Sequence, residues 1–298
     1  MIHKKAELYV DDDRHIYQGE EAKKKLQENS DFKYADQNKG VTKVSEDRWK
    51  KAQKYEENCW FESLSASSDR NYQHYLIFDK YKAIGNRKFQ NAIELGCGPF
   101  TNLRIISGVT TIQSVDLEDP LLSKYLGHPN VRYNKEFLRT GDFALDPFLI
   151  KAVRKTCRLF SDKLANKITL SRHIPVDILH NVAIEDMPVN KQYDLVVIIN
   201  VIEHCKDIEK IFQVIHAISK PGTVFVFADK KYDGEEVYNM LKDQYYEAGH
   251  PLMVDFNLIR NFLDQNFKSL FEKTIREKGE EESLELEFDT FYYIGEKI

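Results

Sequence analysis

Tyr193 to Ile199, Tyr-Asp-Leu-Val-Val-Ile-Ile, constrains this chain more than any other stretch. The run is nearly unbroken in apolar residues and too short for a membrane span. It reads as a strand buried on both faces, as in the middle of a parallel sheet covered by helices. Further short apolar runs recur at Asn91–Leu95, Thr111–Val115 (ending in Asp116), Val176–Val182 and Thr223–Ala228. Helical patterns fit between them. Asp207–Ser219 carries Ile208, Ile211, Phe212, Ile215 and Ile218 at helical spacing, and Pro221-Gly222 stops it. Asp255 is placed to cap a helix over Phe256–Phe267. Two closing antiparallel strands, Leu270–Ile275 and Leu286–Ile294, flank a Glu-rich turn at Lys278–Glu282. Strand–helix alternation of this kind predicts a doubly wound α/β fold.

Residues 1–87 differ from the rest and read as a helical N-terminal extension or lid. Ala6–Gln18 suggests a hairpin around Asp11-Asp12-Asp13, a solvated turn with no metal-ligand spacing behind it. Glu20–Glu28 and Glu46–Trp60 are charged and helix-prone, and Asn71–Ile84 brings aromatics at helical spacing. The 298 residues hold 43 Lys and Arg against 48 Asp and Glu, with 42% hydrophobic residues. That composition predicts an ordinary globular protein and excludes disordered, collagen-like and disulfide-scaffold classes. The mild acidity gives no sign of a general nucleic-acid binder. No apolar segment is long enough to span a bilayer, and no secretory signal opens the chain. Cys59, Cys97, Cys157 and Cys205 are scattered without a CxxC pair, so a reduced, cytoplasmic protein is expected.

The chemistry is concentrated in Ala92-Ile-Glu-Leu-Gly-Cys-Gly-Pro-Phe-Thr101, where a strand ends, glycines turn the chain and a helix follows. Gly96 and Gly98 let the backbone approach a ligand at the carboxyl edge of the sheet. Thr101 stands where a dinucleotide fingerprint needs its third glycine, which argues against a nicotinamide dehydrogenase. The next strand ends in Asp116, a carboxylate able to accept two ribose hydroxyls.

These motifs resemble those of the class I S-adenosylmethionine-dependent methyltransferases, in particular the small-molecule branch called type 11. The resemblance covers residues 88–298. Glu94-Leu-Gly-Cys-Gly98 is similar to motif I, Val115-Asp116 to the end of strand two, and Ile184–Pro188 to the segment bordering adenine. Tyr193–His204 is similar to the strand-four motif and Lys220-Pro-Gly222 to the turn before strand five. The resemblance implies a seven-stranded, mostly parallel, Rossmann-like sheet, with a helical insertion at 119–175 after strand two. It implies S-adenosylmethionine as cofactor and S-adenosylhomocysteine as product. Cofactor binding then falls to Glu94, Gly96, Cys97 and Gly98 at the turn and to Asp116 on the ribose. Leu117, Ile184 and Glu185 would border the adenine, and Asn200 would stand beside the methyl group. Ala183 departs from the acid common at that position.

Glu203-His204 is similar to part of a Glu-x-x-Glu-His metal group found in some relatives, but Asn200 replaces the first acid, and no metal is expected. His204 is instead the leading candidate for a general base toward a hydroxyl acceptor, with His250 in Gly249-His-Pro as a second. Strand four lacks the Asn-Pro-Pro-Tyr pattern of adenine and glutamine N-methylation. The insertion is basic, with 11 Lys and Arg against four acids over Leu121–Pro175. Asp146-Pro147 starts a helix whose apolar stripe (Leu149, Val153, Cys157) lies beside Lys151, Arg154, Lys155 and Arg158. Trp60, Tyr75, Tyr133 and Arg154 are the expected acceptor-binding residues. The expected reaction is methyl transfer to an oxygen, less readily a nitrogen, of a small or glycan-like, anionic acceptor, in the style of bacterial surface-polysaccharide enzymes. An RNA methyltransferase and a catalytically silent binding protein are the rival readings.

Overall fold

The structure is a computed structural model that describes residues 8–10, 16–28, 30–66, 71–140, 148–159, 172–242, 249–276 and 289–298. At the N-terminus β1 (Leu8–Val10) and β2 (Ile16–Gln18) pair antiparallel with Leu8 opposite Gln18, which is the expected hairpin. Its three-Asp turn lies outside the described residues. Helix α1 (Gly19–Glu28) follows, then β3 (Ala35–Asp36), β4 (Gly40–Val41), the 21-residue α2 (Glu46–Ala66) and α3 (Asn71–Ile77).

The second region opens with β5 (Lys88–Leu95), α4 (Leu103–Ile106), β6 (Thr111–Glu118) and α5 (Leu122–Tyr125). The insertion adds β7 (Phe137–Arg139) and α6 (Phe148–Arg158) before β8 (His173–His180). Then come β9 (Tyr193–Ile199), α7 (Ile208–Ile218), β10 (Ser219–Lys231), α8 (Gly234–Lys242), β11 (Met253–Val254), α9 (Phe256–Asn266), β12 (Phe267–Arg276) and β13 (Asp289–Lys297).

Eight strands form the central sheet in the order β12-β13-β10-β9-β5-β6-β8-β7. β8, β6, β5, β9 and β10 run parallel, while β13, β12 and β7 pair antiparallel to their neighbours. Seven of these strands match the expected sheet. The eighth, β7, comes from the insertion and pairs Leu138 with Ile174, which draws the start of β8 back to His173.

Strand β9 is buried on both faces, as its sequence predicts. Val196 and Ile198 point into one core layer with Ile93, Leu95 and the α7 residues Ile208, Ile211 and Ile215. Leu195, Val197 and Ile199 point into the other with Ala92, Leu103, Ile106 and Phe78. Both expected N-caps form. Asp207 accepts from Lys210 N at 3.3 Å, and Asp255 accepts from Asn257 N at 2.8 Å.

The sheet reverses direction of growth at β5. The chain proceeds from β5 to β6 and β8 on one side and returns to β9 and β10 on the other. The crevice at the carboxyl ends of β5 and β9 is therefore where such a sheet takes a ligand. The N-terminal extension is stitched to that edge. β4 pairs with β11, Val44 N donates to Lys206 O at 3.0 Å, and Ile208 N donates to Thr42 O at 3.0 Å.

Candidate active site

The turn after β5 is held from beneath. The Glu94 carboxylate, buried below it, accepts Thr101 Oγ1 through one oxygen. Asn102 N and Nδ2 are both at 2.9 Å, and Leu103 N is at 3.0 Å. Burial raises the Glu94 pKa, and these donors offset part of the cost. Glu94 thus builds the turn and the start of α4, with both oxygens already engaged. Gly96 and Gly98 adopt φ of +61° and +51°, the left-handed region that favours glycine. A Cβ on Gly96 would fall 2.5 Å from Val201 and one on Gly98 3.1 Å from the Trp60 ring. Cys97 is buried and sends its N–H to Glu118 O at 2.9 Å.

The acid at the end of the second parallel strand is Glu118, not Asp116. β6 runs two residues beyond Asp116, and the sheet register sets Glu118 opposite Leu95 at the turn but Asp116 opposite Ile93. Asp116 is fully buried and occupied. Lys191 Nζ lies 3.0 Å from both of its oxygens and Tyr193 Oη donates at 2.5 Å. Burial would raise its pKa, but the His180 ring 3.8 Å away and the hydrogen bonds from Tyr193 and Lys191 bring it below the ordinary value. Glu118 Oε2 accepts Gly96 N at 2.9 Å, and its Oε1 is buried without a hydrogen-bond partner among the described residues. Burial, then the neighbouring Asp119 carboxylate, pushes the Glu118 pKa well up. Asp119 accepts Gly98 N at 3.1 Å, and burial raises its own pKa to about 6. Leu117 points into the core layer on the opposite face of the sheet and does not reach the crevice.

Ile184, the first residue of the short 3-10 turn Ile184–Asp186, is buried in the core. Glu185 accepts Lys206 N at 2.7 Å and Asp207 N at 3.0 Å through Oε1, while Oε2 is buried without a hydrogen bond. Two buried carboxylate oxygens lacking donors, on Glu118 and Glu185, suit a ligand that brings hydroxyl and amino hydrogens. An adenosine group offers both. Beside the Gly96–Gly98 turn, these residues fit the adenosine part of S-adenosylmethionine.

Across the crevice, β9 ends at Asn200, whose φ of +57° is rare for a residue with a side chain. Its N–H donates to Ala228 O at 2.7 Å, and its side chain is exposed. The next turn buries Glu203 to 1% exposure inside a polar cluster. Tyr232 Oη donates to Glu203 Oε2 at 2.8 Å, and Lys230 Nζ lies 3.0 Å from the same oxygen. His250 Nε2 and His204 Nε2 lie 3.3 and 3.7 Å from Oε1. Burial would raise the Glu203 pKa, but His250, Lys230 and His204 outweigh it and hold the carboxylate well below its ordinary range. Asp229 beneath accepts Val201 N and Ile202 N, and burial followed by repulsion from Glu203 raises its pKa to about 7.

Helix α2 lies over this edge. Trp49 Nε1 and Gln53 Nε2 donate to His204 O at 3.2 and 2.9 Å, and Glu56 Oε1 lies 3.4 Å from His204 Nδ1. Trp60 faces Gly98 and packs edge-on against Phe100. Of the residues singled out for the acceptor side, the structure brings His204 and His250 together, their ring centroids 4.8 Å apart, and sets Trp60 against Gly98, while Tyr75 and Tyr133 lie elsewhere. Tyr75 stacks on Tyr72 and tilts against Tyr81. Tyr133 is buried under the turn, where it donates to Gly98 O at 2.7 Å. Arg154 lies on α6, and its side chain is outside the described part. On that helix the apolar stripe faces solvent, with Leu149 74% and Val153 51% exposed.

The sequence reading missed Glu118, Lys230, Tyr232 and Glu56. The Glu118-Asp119-Pro120 sequence was a usable sign that the strand runs past Asp116, because proline there ends the ladder. Nothing local marks Glu56; only the packing of α2 brings it to His204.

A doubly wound sheet with a left-handed glycine turn and a donor-hungry acid at its switch point defines an α/β enzyme that binds a nucleoside-bearing cofactor. Residues 69–274 match the family described as methyltransferase domain. The chain belongs to that family and is a class I methyltransferase that uses S-adenosylmethionine. Solved structures of similar fold include the N-methyltransferase NodS from Bradyrhizobium japonicum in complex with S-adenosylhomocysteine, at 13% identity and a TM-score of 0.41, over 76% of this chain and 85% of that one. YcgJ from Bacillus subtilis is similar at 8% identity and a TM-score of 0.45, over 75% and 98% of the two chains. TehB from Haemophilus influenzae is similar at 11% and 0.42, over 74% and 61%. No curated protein matches. Among the described residues, no helix is long and apolar enough to cross a membrane.

Proposed function

We propose that the enzyme transfers the methyl group to a hydroxyl oxygen of a small or glycan-like, anionic acceptor. The observation that carries this reading is the cluster of His204, His250 and Lys230 around buried Glu203, one turn beyond Asn200 at the open end of β9. Bound S-adenosylmethionine supplies an activated methyl on a sulfonium, so the chain's own work is positioning and proton handling. Gly96 and Gly98 admit the methionine portion, Glu118 takes the ribose hydroxyls, and Ile184 and Glu185 border the adenine. Asn200, projecting from the strand end, orients the reacting groups. A hydroxyl is a poor nucleophile until its proton is drawn off, and two imidazoles stand on the acceptor side for that task. Lys230 supplies positive charge toward an anionic acceptor. Helix α2, with Trp60 and Tyr55 against Gly98 and Gly249, excludes water from the acceptor side.

The test is transfer of labelled methyl from S-adenosylmethionine to a panel of uronic acids, sugar phosphates, amines and tRNA, with the product atom identified by NMR. O-methylated acidic sugar is the expected product. His204→Ala should slow turnover about 10²-fold while leaving S-adenosylhomocysteine affinity within about 2-fold. Products methylated only on nitrogen or on RNA would overturn the acceptor assignment, and wild-type turnover in His204→Ala would remove the imidazole from the reaction.

A further inference from the structure

Amphipathic helices of this fold bury their apolar sides, with one exception. Helix α7 buries Ile208, Ile211 and Ile215, and α9 buries Ile259 and Leu263. On α6, Leu149, Ala152, Val153 and Thr156 are all exposed, while Ile150 and Cys157 are half-buried. Leu149 is 74% exposed, Val153 51%, and Leu159 in the turn after the helix 82%. At about 100° of turn per residue, Leu149, Ile150, Ala152, Val153 and Cys157 share one half of the circumference. Lys151, Arg154, Lys155 and Arg158 fall at positions on the other half, and the helix contains no acid. Large aliphatic side chains grouped in solvent mark a contact surface.

A partner for this helix has to suit both halves. An RNA would use the cations and gain nothing from Leu149 and Val153. A groove on another protein would take the stripe and leave four like charges in solvent. The interface of an anionic membrane takes both, because the stripe enters the acyl boundary while Lys and Arg stems reach up to the headgroup phosphates.

The charge of the chain is laid out to match. The insertion holds 11 Lys and Arg against four acids over Leu121–Pro175, in a chain whose net charge is −5, so the rest is acidic. At the root of the insertion, where β7 pairs Arg139 with His173, Lys135 and Arg172 are exposed and Arg139 is half-buried. An anionic surface attracts this part of the molecule and repels the remainder, which orients the approach.

We infer that α6 docks the protein on a membrane surface carrying anionic lipid headgroups, with Leu149, Val153 and Leu159 inserted at the interface. The contact is peripheral, since no described helix is long and apolar enough to span a bilayer. A helix of 11 residues with a short stripe gives weak, reversible binding that depends on lipid charge. The enzyme is thereby concentrated at anionic bilayers, whichever acceptor it methylates.

The experiment is co-sedimentation of the full chain with vesicles of mixed phosphatidylglycerol and phosphatidylcholine, with pure phosphatidylcholine vesicles in parallel. Binding to the anionic vesicles alone is expected, and added salt should weaken it. Leu149→Ser combined with Val153→Ser should weaken it at least about 10-fold. Lys151→Gln and Lys155→Gln should each cost about 5-fold. Leu76→Ser, which removes an exposed leucine of α3 instead, should bind as the wild type does. S-adenosylhomocysteine affinity, unchanged across the variants, reports that the fold is intact. The inference is overturned if anionic vesicles bind no better than neutral ones, or if the double serine variant binds them like wild type. It is equally overturned, in favour of RNA, if tRNA binds the chain and its double serine variant alike while vesicles do not. Self-association abolished by the same two serines, again without vesicle binding, would give the stripe to a second copy of the chain and overturn it too.

Discussion

Two acids two positions apart on β6 show how little a residue's type says about its work. Asp116 and Glu118 share one side of the strand. A step of one ladder pair separates an acid locked to Lys191 and Tyr193 from an acid at the crevice with a free lone pair. Glu118→Ala should weaken S-adenosylhomocysteine binding by about 1–3 kcal/mol, the scale of hydrogen bonds to a charged group. Asp116→Ala should leave affinity within about 3-fold and lower the melting temperature instead, because Lys191 and Tyr193 lose their partner. Calorimetric titration and thermal melts of both variants separate the roles. The opposite pattern would return the ribose to Asp116. Glu94 carries a related lesson. Its place in the motif suggests a cofactor ligand, whereas its carboxylate is spent on Thr101, Asn102 and Leu103.

At the scale of elements, α2 is the piece that completes the site. Its sequence is charged and helix-prone, and it reads as part of an N-terminal extension or lid. In the fold it lies over the edge of the sheet and is tied to the turn after β9 by two side-chain hydrogen bonds to a single carbonyl, His204 O. Trp49→Phe combined with Gln53→Ala removes both bonds and should cost about 1–3 kcal/mol of local stability. Hydrogen exchange should then rise across Glu46–Ala66 while β5 and β9 stay protected. Unchanged exchange in α2 would mean that packing by Trp60 and Tyr55 alone holds the helix down. The insertion contributes differently. Its strand β7 extends the sheet, and α6 leaves Leu149 and Val153 in solvent.

Taken whole, the molecule collects buried acids along the crevice edge of its sheet. Asp119 is raised to about 6 and Asp229 to about 7, each chiefly by burial, from an ordinary value of 3.8. In this range the folded chain therefore holds protons that the unfolded chain has released. The sign follows directly: the stabilisation is complete below about pH 4 and is lost as pH rises through 6 and 7. The melting temperature of the ligand-free protein should fall between pH 5.5 and pH 8, and Asp119→Asn should flatten that slope. A melting temperature that rises over this interval would contradict the assignment of buried acids.

The sequence by itself determined the class of fold and the order of its parts. Apolar runs of strand length alternating with amphipathic helices admit few architectures, and β9, α7 and α9 formed where their patterns placed them. It also determined the glycine turn, because left-handed backbone at Gly96 and Gly98 is a local requirement that a residue type can announce. Which acid meets the crevice was decided by sheet register, a pairing between strands that neither strand encodes alone. That Tyr133 braces the turn, that Tyr75 packs elsewhere, and that Glu56 joins His204 and His250 were decided by long-range packing. Those contacts arise where elements distant in sequence bury their faces together, and spacing along one chain carries no record of them.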